Sequence, residues 1–178
     1  MAKVLITGTS SGIGLQTAIA LGRAGHTVIA TMRSLDRAGV LHQAINSEHL
    51  PISVLQMDVD LDASVQRATA TIRNQIGSID VLVNNAGIER TGAIEHLTMD
   101  DFKATMETNY FGALRTIHAW LPDMRQRSEW VHHQRYLRRR KDCLLAAGRL
   151  LGFEVRARSA QRGTGARGQR VQCACRHR

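Results

Sequence analysis

One segment constrains this chain more than any other: residues 3–14, Lys-Val-Leu-Ile-Thr-Gly-Thr-Ser-Ser-Gly-Ile-Gly. Its first five residues are a short apolar run closed by Gly8, the pattern of a strand buried in a parallel sheet. The glycine- and hydroxyl-rich turn that follows leads directly into Leu15–Ala24. There Leu15, Ala18, Ile19, Leu21 and Gly22 recur at helical spacing, and Gly25 marks the stop. A helix entered this way offers unpaired N–H groups and partial positive charge, which can hold a pyrophosphate. Gly8, Gly12 and Gly14 let the backbone turn tightly and come close to such a ligand, and Ser10 and Ser11 add hydroxyl donors. The same letters also suit an ordinary strand-to-helix turn. The flanking strand and helix favour a nucleotide site.

The alternation continues. Thr27–Thr31, Ile52–Gln56 and Ile79–Val83 read as strands; Leu35–Ile45 reads as a weak helix, and Asp60–Ile76 as a helix with Leu61, Val65, Ala68, Ile72 and Ile76 on one face, stopped by Gly77. Thr98 with Asp101 three residues on predicts the cap of a helix running to about Trp120 and ended by Pro122. Strands and helices in strict alternation with short joins imply parallel pairing with helices on both faces. The fold class is α/β, a doubly wound parallel sheet. No run of 18 apolar residues occurs, so the reading expects no membrane span. The short apolar run at the N-terminus does not suit a signal peptide, and the expected location is cytoplasmic.

The loops after the strands carry the candidate chemistry, because open α/β sheets bind ligands at the carboxyl ends of their strands. Arg33 lies just past the second strand, where a carboxylate would accept from a ribose 2′-OH and an arginine suits a 2′-phosphate. It can equally be a solvated surface charge. Asp58, after the third strand, can accept from an adenine amino group or cap the helix that follows. Asn84-Asn85-Ala86-Gly87, after the fourth, places small residues and amides where a cofactor ribose would lie, or is a turn held by Asn side chains.

Together these residues resemble the classical short-chain dehydrogenase/reductase family. Its TGxxxGIG motif is matched by Thr7-Gly8-Thr-Ser-Ser-Gly12-Ile13-Gly14, its NNAG by Asn84–Gly87, its adenine-side pair by Asp58-Val59, and its helical active-site Asn by Asn109. The likeness covers roughly residues 3–127. It implies a Rossmann-like fold, an NAD(P) cofactor (NADP rather than NAD, given Arg33), and hydride transfer between nicotinamide and a small-molecule alcohol or carbonyl. Thr31-Met32-Arg33 and Glu89–His96 resemble reductases of steroids, retinoids or other apolar alcohols. The family commonly forms homo-oligomers. Its catalytic core is a Ser followed by Tyr-x-x-x-Lys, with the Asn positioning a water in the proton relay. Of this set only Asn109 is present. Tyr136 is followed four residues on by Arg140, which cannot relay a proton as Lys does.

Charge explains where the motif goes missing. Residues 1–124 hold 9 Lys+Arg against 12 Asp+Glu, whereas residues 125–178 hold 15 against 3 and contain all three cysteines. The chain reads as a dinucleotide-binding domain over 1–127 and a basic, poorly ordered tail over 128–178. Reading each codon of Leu150–Val155 from its second base permits Tyr-Ser-Ala-Ser-Lys-Phe. In the same frame Val131–Leu137 permits an apolar strand ending in a Ser, thirteen residues before that Tyr. The expectation is therefore a frameshift near Arg125–Ser128, an active in-frame parent and an inactive chain as written. Cys173, Cys175 and His177 form one short cluster without a second ligand pair, and no metal is expected. Two alternatives stand beside the enzyme. One is a dinucleotide domain with a cationic nucleic-acid-binding arm, although the main reading expects no nucleic-acid partner. The other is a nonfunctional fragment whose fourth strand has lost its neighbour.

Overall fold

The computed structural model describes residues 1–126 and the backbone of 131–134. Five strands, β1 (Lys3–Thr7), β2 (Thr27–Met32), β3 (Ile52–Gln56), β4 (Val81–Asn84) and β5 (Val131–Gln134), form one sheet in the order β3-β2-β1-β4-β5. Every neighbouring pair is parallel. The helices are α1 (Gly12–Arg23), α2 (Gly39–Glu48), α3 (Asp62–Gln75), α4 (Met99–Met106) and α5 (Gly112–Gln126). The doubly wound Rossmann-like α/β architecture follows.

Parallel strands buried on both faces sort alternate side chains into two cores. Val4 and Ile6 of β1 pack with Leu15, Ala18 and Ile19 of α1 and with Leu41 of α2. Leu5, pointing the other way, packs with Ile29, Ile72, Leu82, Trp120 and Met124, beneath α3 and α5. Gly25 (φ +80°) and Gly77 (φ +90°) end α1 and α3 in the left-handed region, as the stop signals predict.

Four expectations change. α1 begins at Gly12, inside the glycine motif. The segment read as a helix from residue 35 is a 3-10 turn, Leu35–Arg37, followed by α2. The predicted helix from Thr98 starts as expected: the Thr98 Oγ1 accepts from the Asp101 N–H, and the Asp101 carboxylate accepts from the Thr98 N–H. It is then interrupted by a π-helical turn, Glu107–Phe111, and continues as α5 through Pro122 to Gln126. Proline inside a helix costs about 3 kcal/mol. Burial of Trp120 and Met124 on either side of Pro122 anchors that helix to the sheet and outweighs the break.

The fourth correction concerns the sheet edge. β4 does not lack a neighbour: Val81, Leu82, Val83 and Asn84 lie in register with Val131, His132, His133 and Gln134. Expectations about Tyr136–Lys141, Leu150–Val155, the cysteine cluster and the order of the tail lie outside the described residues. Among the described residues, no helix is long and apolar enough to cross a membrane.

Candidate functional site

The strand order reverses between β1 and β4. This is the position where a crevice opens at the carboxyl edge of a doubly wound sheet. Two loops meet there, and one buried side chain joins them. The Thr7 Oγ1, at the end of β1, accepts from the backbone N–H groups of both Asn85 (3.0 Å) and Ala86 (2.9 Å). In return, the Asn85 side-chain amide donates to the carbonyls of Thr7 and Gly8, each at 2.9 Å. On the other side, the Thr9 N–H and Oγ1 both donate to the Thr31 carbonyl at the end of β2. The glycine loop is thus tied to two neighbouring strands.

The approach is close enough that the glycines are sterically required. Gly8 has φ +71°, and a Cβ there would lie 2.7 Å from the Ala86 Cα. A Cβ on Gly14 would overlap both the Asn85 Nδ2 and the Gly8 carbonyl oxygen. Gly12 differs: φ is +59°, but a Cβ would meet nothing within 4 Å. Ser11 stands at the N-cap of α1 in extended conformation, with no capping bond from its side chain and no acidic residue in the first turn. The first N–H groups of α1 therefore keep their capacity and their partial positive charge for an anion. Ser11, Gly12 and Ile13 are exposed at this end, and Ser10 is half-buried beside them. A backbone cradle that only glycine fits, opening on an uncapped helix N-terminus, suits the pyrophosphate of a dinucleotide.

The active-site Asn of the family pattern lies next to this cradle. Asn109 sits in the π-helical turn; its Oδ1 accepts from the Ile88 N–H at 2.8 Å and its Nδ2 donates to the Ile88 carbonyl at 2.9 Å. A Cβ on Gly87 would come within 3.1 Å of the Asn109 Oδ1. The side-chain amide of Asn109 thus holds the loop after β4 that borders the crevice. π-helical turns of this kind are frequent at functional sites.

Arg33 and Asp58 are brought together at the far end of the crevice. They line a cavity of about 270 Å³ with Gln56, Leu61, Ser64 and Arg67. The Asp58 Oδ1 accepts from the Asp60 N–H at 3.1 Å, and the N-cap of α3 is Leu61, so Asp58 holds the turn before the helix rather than capping it. Val59 turns away from the cavity. It is buried against Gly112, where a Cβ would lie 2.8 Å from the Val59 Cγ2, so this pair sets the spacing between the β3 loop and α5. A larger depression of about 410 Å³, between α3 and α5, is lined by none of the predicted site residues.

Sequence reasoning misses three contributors. Thr7 reads as the end of a strand and the first letter of the glycine motif, with nothing to show that its hydroxyl latches the loop after β4. Arg115 on α5 binds the Asp62 carboxylate (2.7 Å), the Val59 carbonyl (3.2 Å) and the Glu107 carboxylate, tying the π-helical turn to α3. The Thr116 Oγ1 donates to the buried Asn84 Oδ1 at 2.6 Å. None carries a local signal: each depends on residues that are far apart in the chain.

Residues 2–129 match the short chain dehydrogenase family. The chain belongs to that family. Among curated relatives, this short-chain dehydrogenase is 41% identical over 130 residues to retinol dehydrogenase 8 of Bos taurus, covering 71% of this chain and 41% of the bovine protein. It is 40% identical over 130 residues to 17-beta-hydroxysteroid dehydrogenase type 1 of Homo sapiens, covering 70% of this chain and 39% of the human one. The chain thus spans about two-fifths of the length of these relatives. Among solved structures, a gluconate 5-dehydrogenase from Burkholderia cenocepacia in complex with NADP and tartrate superposes with a TM-score of 0.68 at 31% identity, covering 75% of this chain and 52% of that one. Actinorhodin polyketide ketoreductase with NADPH superposes with a TM-score of 0.70 at 27% identity, over the same shares.

Proposed function

We propose that residues 1–126 form the dinucleotide-binding half of an NAD(P)-dependent oxidoreductase that moves hydride between a nicotinamide and an alcohol or carbonyl. The carrying observation is the latched crevice between β1 and β4, with Gly8 and Gly14 too close to their neighbours for any side chain. Gly8, Ser10, Ser11, Gly12, Ile13 and Gly14 would hold the pyrophosphate, and Asn85, Ala86 and Gly87 would form the wall beneath the adjoining ribose. Asp58 would meet the adenine. Arg33 favours NADP over NAD, since its cavity offers a cation where a ribose phosphate would sit. When bound, the cofactor supplies the hydride acceptor or donor. The likeness to proteins named for retinol and 17-beta-hydroxysteroids supports an apolar alcohol as the substrate class.

Proton handling is a separate matter. The family's Ser and Tyr-x-x-x-Lys are absent from this sequence as written, and the codons open to residues 131–155 permit both in a frame shifted near Arg125–Ser128. The chain as it stands is read as binding dinucleotide without turnover, the in-frame parent as the enzyme. Titration with NADPH and NADH, followed by energy transfer from the protein's tryptophans, tests the binding half; tighter NADPH is expected. Binding of neither dinucleotide overturns it. Alcohol oxidation or carbonyl reduction by the unmodified chain overturns the second half, as does a gene sequence across codons 120–135 that no single-base slip reconciles with the motif.

A further inference from the structure

We infer that Arg67 is a second phosphate-binding arm at the adenosine end of the crevice, acting with Arg33 on a phosphate carried by the ribose. The inference rests on the reading of that crevice as an NADP site and adds a residue from a helix that no motif singles out.

Two arginines from distant parts of the sequence, one past β2 and one in α3, line the same cavity of about 270 Å³. The position of Arg67 on α3 is fixed by a neighbour. Ser64 lies three residues earlier on the same helical face. It is buried, with its Oγ accepting from the Asp58 N–H at 2.9 Å, which pins that face against the loop after β3. Arg67 therefore stands one turn further along the wall that Asp58 begins.

Charge pairing separates these two arginines from most others. Arg23, Arg73, Arg90 and Arg115 each meet a carboxylate. Among the described residues, no ion pair involves Arg33 or Arg67. The one carboxylate on the cavity wall, Asp58, has its Oδ1 engaged by the Asp60 N–H. Two guanidinium groups and the single carboxylate of Asp58 line this cavity, so its wall carries a net positive charge that favours a phosphate. The planar fork of each can take two phosphate oxygens at once. Gln56 completes the wall; its Nε2 donates to the Arg33 carbonyl at 3.0 Å, holding the backbone that carries the first arm.

The test uses the full chain and two probes that report the adenosine end alone: adenosine 2′,5′-bisphosphate and adenosine 5′-monophosphate, titrated calorimetrically. Arg67→Ala is expected to weaken the bisphosphate about ten-fold, or about 1.4 kcal/mol, and to leave the monophosphate unchanged. Arg67→Lys keeps the charge without the fork and should lose about three-fold. Arg37→Ala, which removes a nearby exposed charge outside the cavity, should change neither. An unchanged bisphosphate affinity in Arg67→Ala, with a loss in Arg33→Ala, overturns the inference and leaves the NADP reading intact. Equal weakening of both probes by Arg67→Ala, or an equal loss from Arg37→Ala, also overturns it, since the effect is then not directed at the 2′-phosphate. A wild-type chain that binds the two probes equally overturns the NADP reading itself, and the inference with it.

Discussion

Replacing Gly8 by alanine separates two costs that the glycine loop conceals. The first is conformational: at φ +71° an L-residue is strained by about 1–2 kcal/mol. The second is steric, because the new Cβ would stand 2.7 Å from the Ala86 Cα and 3.0 Å from the Ala86 N, both backbone atoms that cannot rotate aside. Forcing the two loops apart adds about 1–3 kcal/mol, for a total of about 2–5 kcal/mol. Gly12→Ala supplies the control. Its φ of +59° carries the strain, but its Cβ would meet nothing within 4 Å, so only about 1–2 kcal/mol is expected. Gly39→Ala, in open space without a positive φ, should be neutral or slightly stabilising. Urea unfolding of the three variants against the parent, at unchanged slope, reads each cost. If Gly8→Ala is no more destabilising than Gly12→Ala, the close approach of the β1 and β4 loops is wrong, and with it the account of the crevice.

Other outcomes follow from the same geometry. Thr7→Val keeps the shape of a buried side chain but orphans the N–H groups of Asn85 and Ala86; a loss of about 2–4 kcal/mol is expected, and Thr7→Ser should recover most of it in the same denaturation assay. Arg115→Met, which removes the link between Asp62, the Val59 carbonyl and Glu107, should speed amide exchange in the π-helical turn around Asn109 while leaving β1 and β2 protected. The hydroxyl of Thr98, and then its backbone N–H, hold the Asp101 carboxyl below the usual aspartate range. Because the folded value is depressed, the capping contribution is complete above about pH 4 and is lost as pH falls through the folded value. An NMR titration of Thr98→Val should find the Asp101 carboxyl titrating higher than in the parent, and an unchanged titration would show that the capping box does not form.

The order of the first four strands and their helices is legible in the sequence because each strand is a short, mostly apolar run and the longer helices keep an apolar stripe. The Thr98–Asp101 cap is legible for a similar reason: both partners lie within one turn. Features that depend on distant partners are not. Pro122 reads as a stop until Trp120 and Met124 are seen buried on either side of it. The π-helical turn has no compositional mark, and it is Asn109 holding Ile88, 21 residues away, that shows what it positions. Asn85 is expected to face a ribose, yet its amide reaches back 77 and 78 residues to the Gly8 and Thr7 carbonyls. Arg67 belongs to no motif, and only the packing of α3 against β3 and the loop after it brings this residue to the cavity of Arg33. Most of the cradle, by contrast, is readable from the residues alone. Glycines spaced between a strand and a helix weaken both elements unless something must come close to the backbone there.

The doubly accepting oxygen of Thr7 has a dynamic consequence. Because it grips two consecutive amides of the loop after β4, while that loop's own amide grips the carbonyls beside it, residues 7–8 and 85–86 cannot open separately. The floor of the crevice moves as a single plate, and exchange measured on either stretch should report one shared rate.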